Sequence, residues 1–299
     1  MTSETQTGRH WDAVSRAAPS PILKWGHIPQ IREEIGRRIC GEALSSHIEA
    51  DCRFIREFTG RASFDRAVSI GCGNAGKEIW MLKQGIVRHF DLYDLSSIRI
   101  ENCRKTLTAQ GLEGRASTFN VSPFEGDVAA GYDLVFWSDS LHHMAPMDEV
   151  MEWSKKVLNV GGVFYFHEYI GPDRIQFPEN DLALANAIRG TLDARFFASP
   201  EKPGQLVSRR ISNIPRDELV AADPSESIES SRILAAFKRS FEQRAVRPLG
   251  GLVWFLGLKN LYQNFDNEEG RPVLAALLDL DLHLSRLGLN YMAVGCGIK

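Results

Sequence analysis

Residues 66–80 read RAVSIGCGNAGKEIW, and this stretch decides the fold. A short apolar run, Ala67 to Ile70, leads into Gly71-Cys72-Gly73-Asn74-Ala75-Gly76 and then into helix-forming residues from Lys77 to Lys83. The order is strand, glycine turn, helix start. Glycines at such a turn let the backbone reverse tightly and bring main-chain N–H groups close to a ligand. One helix and one strand later, Asp94 closes a second strand-like run from Val87 to Tyr93. A carboxylate at that separation can accept hydrogen bonds from both hydroxyls of a ribose. The pattern predicts a nucleotide-like ligand lying across the edge of a parallel sheet.

Outward from this motif, strands and helices alternate from 66 to 170. Strands are expected near 66–71, 87–94, 115–121, 132–138 and 161–169, with helices near 75–84, 97–109 and 147–158. Such alternation predicts an α/β fold with a doubly wound, mostly parallel sheet. Val163-Phe164-Tyr165-Phe166 reads as a strand covered on both faces. On the N-terminal side, residues 1–20 read as loose, and Pro19, Pro21 and Pro29 punctuate the chain. Two helices at 29–41 and 43–59 follow, with Ile31, Ile35, Ile39, Leu44, Ile48, Ile55 and Phe58 at helical spacing. Past Gly171-Pro172 the rhythm breaks. Residues 172–287 read as a mainly helical insertion in which Asp223-Pro224-Ser225-Glu226 has the pattern of a helix start. Helices are expected near 250–265 and 272–287, a short strand near 243–247 is compatible with the pattern, and Asn290 to Ile298 reads as a final strand. The expected division is 1–60 as a helical cap, 61–171 with 288–299 as the core, and 172–287 as a lid.

Three further elements point to a family. The turn has the form IGCGNAG; the fourth strand reads YDLVFWS over 132–138 and is followed by Leu141-His142-His143-Met144; the fifth is introduced by VLNVGG over 157–162. Together they resemble the class I S-adenosylmethionine-dependent methyltransferases, in the expected order and within residues 60–170. HEYIGPDRIQF over 167–177 and DPSE over 223–226 resemble a loosely defined subgroup of the same family. The resemblance implies a seven-stranded sheet with an antiparallel last strand and S-adenosyl-L-methionine as cofactor. It places Gly71, Cys72, Gly73 and Gly76 beside the methionine part of the cofactor, Asp94 on the ribose, Leu95 by the adenine, Asn120 and Val121 at the adenine edge, and Ser138 and Asp139 under the sulfonium. The chain departs from the pattern twice. Ser69 stands where an acidic residue is frequent, and Asn120 where Asp is frequent.

Methyl transfer asks a protein to hold the acceptor in line, exclude water and, for an oxygen acceptor, take a proton. Ligands of such sheets lie at the carboxyl ends of the strands, so His142, His143, His167 and Glu168 are the candidate catalytic groups. Each also has a plainer role open to it: the histidine pair as packing or a helix cap, and only one of His167 and Glu168 facing the site, because neighbours alternate across a strand. Tyr169, Arg174 and Gln176 are candidate substrate contacts, with a satisfied loop as the alternative. The aromatic residues of the insertion, Trp254 and Phe255 among them, read first as core. The function expected is methyl transfer to an oxygen or nitrogen of a small molecule. Other readings that keep the cofactor are a different group transfer, a cyclisation, or a non-catalytic partner; the glycine motif alone would also suit a nicotinamide oxidoreductase.

Composition narrows the field further. The chain has 299 residues, 43% hydrophobic and 24% charged, as expected of a globular protein. Its 35 basic and 38 acidic residues, net −3, give no footing for a nucleic-acid or anionic-membrane partner. The five cysteines form no CxxC pair, so neither a zinc site nor a disulfide framework is expected, and no metal site is assigned. Residues 1–20 lack the apolar core of a signal peptide, and no run reaches the length needed to cross a bilayer, so a cytoplasmic protein is expected. The oligomeric state is left open, a homodimer included.

Overall fold

A computed structural model describes residues 3–18, 20–124 and 130–299; Pro19 lies outside the described residues. Helices α1 (Ser3–Arg16), α2 (Pro29–Cys40) and α3 (His47–Thr59) precede β1 (Phe64–Ile70). Then come α4 (Gly76–Lys83), β2 (Val87–Tyr93), α5 (Ser97–Ala109), β3 (Ala116–Phe119), β4 (Tyr132–Ser138), α6 (Met147–Val157) and β5 (Leu158–Tyr169). The remainder is α7 (Glu179–Gly190), α8 (Arg216–Ala222), α9 (Ile233–Ser240), β6 (Gln243–Gly251), α10 (Gly270–Arg286) and β7 (Asn290–Ile298). Among the described residues seven strands form one sheet in the order β3-β2-β1-β4-β5-β7-β6. The first five are parallel, and β7 runs antiparallel to both neighbours. This is the doubly wound sheet that the alternating pattern predicts. No helix of the described residues is long and apolar enough to cross a membrane.

Local sequence sets the helix limits. Ser46 caps α3, its hydroxyl accepting from the Glu49 N–H, and Gly60 ends it in the left-handed conformation. Pro29 opens α2 and Gly41 closes it in the same way. The core lies on both faces of the sheet. Toward α3, Phe136 and Tyr165 stack at 5.4 Å. On the opposite face Phe164 and Phe166 pack on Phe237 and Phe241 at the end of α9. Gly295 sits opposite Phe166 in the β5–β7 ladder. A Cβ there would come within 2.1 Å of the phenyl ring, so the large strand residue requires the absent side chain.

Four expectations from the sequence are corrected. Residues 3–16 are helical rather than loose. The helix is polar, and it is held by the start of α5 instead of by an apolar face: Asp12 Oδ1 accepts from Ser96 Oγ at 2.6 Å and the Ile98 N–H at 3.2 Å, and Oδ2 accepts from Ser97 Oγ at 3.0 Å. The DPSE segment forms a turn, because Asp223 Oδ1 accepts from the Ser225 N–H at 2.9 Å; α9 starts only at Ile233. The helix expected over 250–265 is a π-helical turn, Leu252–Gly257, followed by a 3₁₀ turn, Tyr262–Asn264. Finally, the strand near 243–247 extends to Gly251 and forms the sheet edge, so the segment expected to be a helical insertion contributes a strand to the core.

The edge strand is pinned by one buried ion pair. Arg38 of α2 reaches Asp281 of α10 at 2.5 Å and donates to the Leu249 and Leu278 carbonyls at 2.8 and 2.7 Å. Asp281 Oδ1 also accepts from the Gly251 and Val253 N–H groups at 3.1 and 2.7 Å, which turns the chain out of β6. Stripping one partner from a buried pair leaves an uncompensated charge. Asp281→Ala should therefore lower the unfolding free energy by about 3–5 kcal/mol, read from chemical denaturation against the unaltered chain.

Candidate active site

The strand order reverses between β1 and β4, and a crevice opens at the carboxyl ends of those strands, where open α/β sheets bind ligands. Gly71 leaves β1 at φ +66, and its N–H and that of Cys72 donate to the Tyr93 carbonyl at 2.8 and 3.1 Å. A Cβ on Gly71 would lie 2.7 Å from Ser140 Cβ, while Ser140 Oγ donates to the Ile70 carbonyl at 2.7 Å. The glycine turn and the loop after β4 therefore meet at the crevice floor, with no space for a side chain.

Asp94 forms one wall. Its carboxylate accepts from the Gly73 N–H at 2.8 Å and from the Ser96 N–H at 2.7 Å. Burial raises the Asp94 carboxyl above the usual range; the two backbone donors offset part of that. Each oxygen keeps a lone pair beyond the bond it makes. Leu95, Val121 and Phe124 continue this wall. Trp11 of α1 covers it, with the Arg99 guanidinium 4.2 Å above its ring and the His143 ring at 5.4 Å.

The opposite wall is the loop after β4. Asp139 adopts φ +56, a left-handed conformation that strains most residues and suits Asp better than most. Its carboxylate pairs with Lys77 Nζ at 2.5 Å, and Lys77 also donates to Ser138 Oγ at 2.6 Å. Burial works the other way, yet the Lys77 ammonium holds the Asp139 carboxyl well below the usual range. Behind this loop lies Glu168, fully buried, accepting from the Ser140 and Leu141 N–H groups at 2.8 and 2.7 Å and from His142 Nδ1 at 2.6 Å. Burial alone would lower the His142 pKa, but the Glu168 carboxylate outweighs it and pushes the imidazole up to about 9. His143, 4.2 Å away ring to ring, is lowered to about 4 by burial and by the charge on His142.

His167 points to the other face. Its Nδ1 lies 3.1 Å from Asp51 Oδ1 of α3, and its Nε2 is buried without a hydrogen-bond partner among the described residues. Burial opposes the imidazolium, but the Asp51 carboxylate prevails and the net shift is upward.

Of the residues expected at the site, Gly71, Asp94, Leu95, Val121, Asp139 and His143 line the crevice. Others are brought close but serve as framework. Gly73 is turned toward Asp94, Ser138 is bound to Lys77, and the Asn120 amide donates to the Asp94 carbonyl at 3.0 Å instead of facing the crevice. Cys72 and Gly76 lie within the turn and the start of α4 and do not line the crevice. Four more lie away from the crevice lining. Glu168 is fully buried and committed to the loop it caps. The Tyr169 hydroxyl donates to the Pro172 carbonyl at 3.2 Å. Arg174 donates to the Pro224 and Glu226 carbonyls at 2.8 and 3.2 Å, and Gln176 to those of Arg174 and Ile214, both at 3.0 Å. These three hold loops together.

Glu78 was not anticipated. The Ser69 hydroxyl donates to its buried carboxylate at 2.6 Å, so the acid absent from β1 is supplied by α4. A Glu two residues past the last glycine was the available signal. Asp51, Trp11 and Ser225 were also missed, since their neighbours at the site are distant in the sequence.

A family model described as "Methyltransferase domain" matches residues 68–166. No curated protein sequence matches the chain. Among solved structures, geranyl diphosphate C-methyltransferase from Streptomyces coelicolor A3(2), in complex with Mg2+, geranyl diphosphate and S-adenosyl-L-homocysteine, is similar at 12% identity and TM-score 0.56, over 99% of this chain and 98% of that one. Phosphoethanolamine N-methyltransferase 2 from Haemonchus contortus, in complex with S-adenosyl-L-methionine, is similar at 13% identity and TM-score 0.53, over 90% of this chain and 57% of that one. At these identities the likeness is one of fold.

The loop after β4 owes its shape to the Glu168 carboxylate. Glu168→Ala leaves buried N–H donors unpaired and should destabilise the chain by about 1–3 kcal/mol, measured by chemical denaturation. A loss confined to a few tenths would show that water replaces the carboxylate there.

Proposed function

We propose that the chain, whose residues 68–166 match a methyltransferase-domain model, is a class I S-adenosylmethionine-dependent methyltransferase that transfers a methyl group to an oxygen or nitrogen of a small-molecule acceptor in the cytoplasm. The observation that carries the reading is the Asp94 carboxylate, facing the crevice with acceptor capacity beyond its two backbone donors. The residues present suit the cofactor. Asp94 would take the ribose hydroxyls, Leu95 and Val121 would flank the adenine, and Gly71 keeps the floor free of a side chain that would collide with Ser140. Cys72, Gly73 and Gly76 shape the turn, Asn120 steadies Asp94, and Ser138 and Asp139 end β4 beside Lys77. Ser69 does not count against the reading, because the Glu78 carboxylate stands 2.6 Å from its hydroxyl. When bound, S-adenosylmethionine supplies an electrophilic methyl group on its sulfonium.

In this reading the chain supplies position, dryness and a proton acceptor. Asp51 fixes His167 by its Nδ1, so Nε2 is the nitrogen left to take a proton. His167 is paired with Ser138 in the β4–β5 ladder, at the same strand ends as the crevice but on the α3 face, so the acceptor would reach it from that side. The cap of residues 1–60 and the segment 172–287 would enclose the acceptor and exclude water, with β6 counted to the core formed by 61–171 and 288–299.

Two outcomes are expected. Asp94→Ala should weaken S-adenosylhomocysteine binding by about 1–3 kcal/mol in calorimetry; unchanged affinity would overturn the ribose assignment. With His167 as base, the neutral imidazole is the active form. Since its pKa is raised, kcat/KM should climb with pH through a limb above the ordinary histidine value of 6.5. Asp51→Asn removes the carboxylate that raises it and should move that limb to lower pH. A limb at the same pH in both proteins would remove His167 from the proton step.

A further inference from the structure

We propose that His142, His143 and Glu226 form a binding site for one divalent first-row transition-metal ion at the edge of the crevice. Their ligand atoms lie within 4.8 Å of one another. The hydrogen bonds behind them fix which atoms are free. Ionised Glu168 can only accept, so at 2.6 Å His142 Nδ1 must be the donor. That leaves His142 Nε2 on the side of Glu226, 3.8 Å from Oε1 and too far for a hydrogen bond, so an ion bound there takes the place of the Nε2 proton. The Ser225 hydroxyl donates its proton to Asp223 Oδ1 at 2.7 Å. At 3.1 Å from His143 Nδ1 it therefore accepts, and His143 Nε2 carries the bare lone pair. A histidine whose second ring nitrogen donates to an oxygen acceptor is oriented as metal-binding histidines are. Both histidines here are held in that way. Glu226 is held too, with its Oε1 accepting from Ser227 Oγ at 2.6 Å and its carbonyl from Arg174 at 3.2 Å.

The donor set chooses the ion. Two imidazoles and one carboxylate, with no thiolate, suit Zn2+, Fe2+, Co2+ or Ni2+ better than Mg2+ or Ca2+. Bonds of about 2.0–2.2 Å need the ligand atoms to close in by about an ångström, so an ion that binds draws the three side chains together. Three protein ligands leave coordination positions open. The side chains are 12%, 11% and 23% exposed, so an ion could enter and still be reached from the crevice that His143 lines. The open positions would take an oxygen of the acceptor, such as a hydroxyl or carboxylate; this last step rests on the methyl-transfer reading, whereas the ion site does not.

The full-length chain, stripped with chelator, is titrated with Co2+ by visible absorption and with Zn2+ by calorimetry. One ion per chain is expected, with Co2+ d–d bands free of thiolate charge transfer. Glu226→Gln and His143→Ala should weaken binding by at least about tenfold, and Ser225→Ala by about 10–100-fold through the lost orientation of His143. No binding by the unaltered chain, or equal binding in all three variants, overturns the site. S-adenosylhomocysteine calorimetry on the same samples separates the two ideas. Cofactor binding without metal refutes this inference alone, and metal binding without cofactor refutes the methyltransferase reading alone.

Discussion

A single carboxylate, buried at the end of β5, organises the loop after β4. Glu168 has no exposed surface and is surrounded by donors: three consecutive backbone N–H groups and a histidine ring. A buried negative charge is tolerated only when it is hydrogen-bonded and paired, so the loop after β4 must present those donors. That requirement bends Ser140–His143 into a 3₁₀ turn, puts Ser140 against Gly71, and directs both histidines outward from the strand. The loop cannot move independently of the glycine turn, because Ser140 also bonds the last carbonyl of β1. The glycine turn and the histidine loop are thus one mechanical unit.

The alternation of side chains along β5 creates a second polar group from adjacent residues. Glu168 faces the histidine pair, and His167, one residue earlier, faces Asp51 under α3. The ends of β4 and β5 therefore carry ionisable groups on both faces of the sheet, with the Asp139–Lys77 pair beside them. The opposite directions of shift follow from partners. His142 and His167 have carboxylates and are raised; His143 meets a cation and is lowered. Neighbouring groups driven apart in pKa are what acid–base chemistry near neutral pH uses.

Much of the core was legible in the sequence because its signals are local. Gly71, Asp94 and the order of five strands are encoded within short windows, where strand period, turn chemistry and helix caps agree. The rest depends on contacts between distant residues. Asp51 meets His167 across 116 positions, and Arg38 meets Asp281 across 243. Helix α1 shows the limit most clearly. Its apolar periodicity is weak because its anchor is Asp12 on the first turn of α5, a polar interaction that hydrophobic patterning cannot register. Glu78 shows a different limit: the acid expected on a strand was moved to the next helix, while its place in space stayed close to Ser69.

The contrast between the two walls has a physical consequence for specificity. The Asp94 wall is built from backbone N–H groups, glycine and one aspartate, and its geometry is fixed by the sheet itself. The facing wall draws on the turn at 223–227, which is tied to the loop after β4 through Ser225–His143 and the Ile228 N–H to His142 carbonyl bond. That turn belongs to the segment between β5 and β6, which no strand register constrains. Substitutions there can alter what is held beside the histidines while the sheet and Asp94 remain as they are.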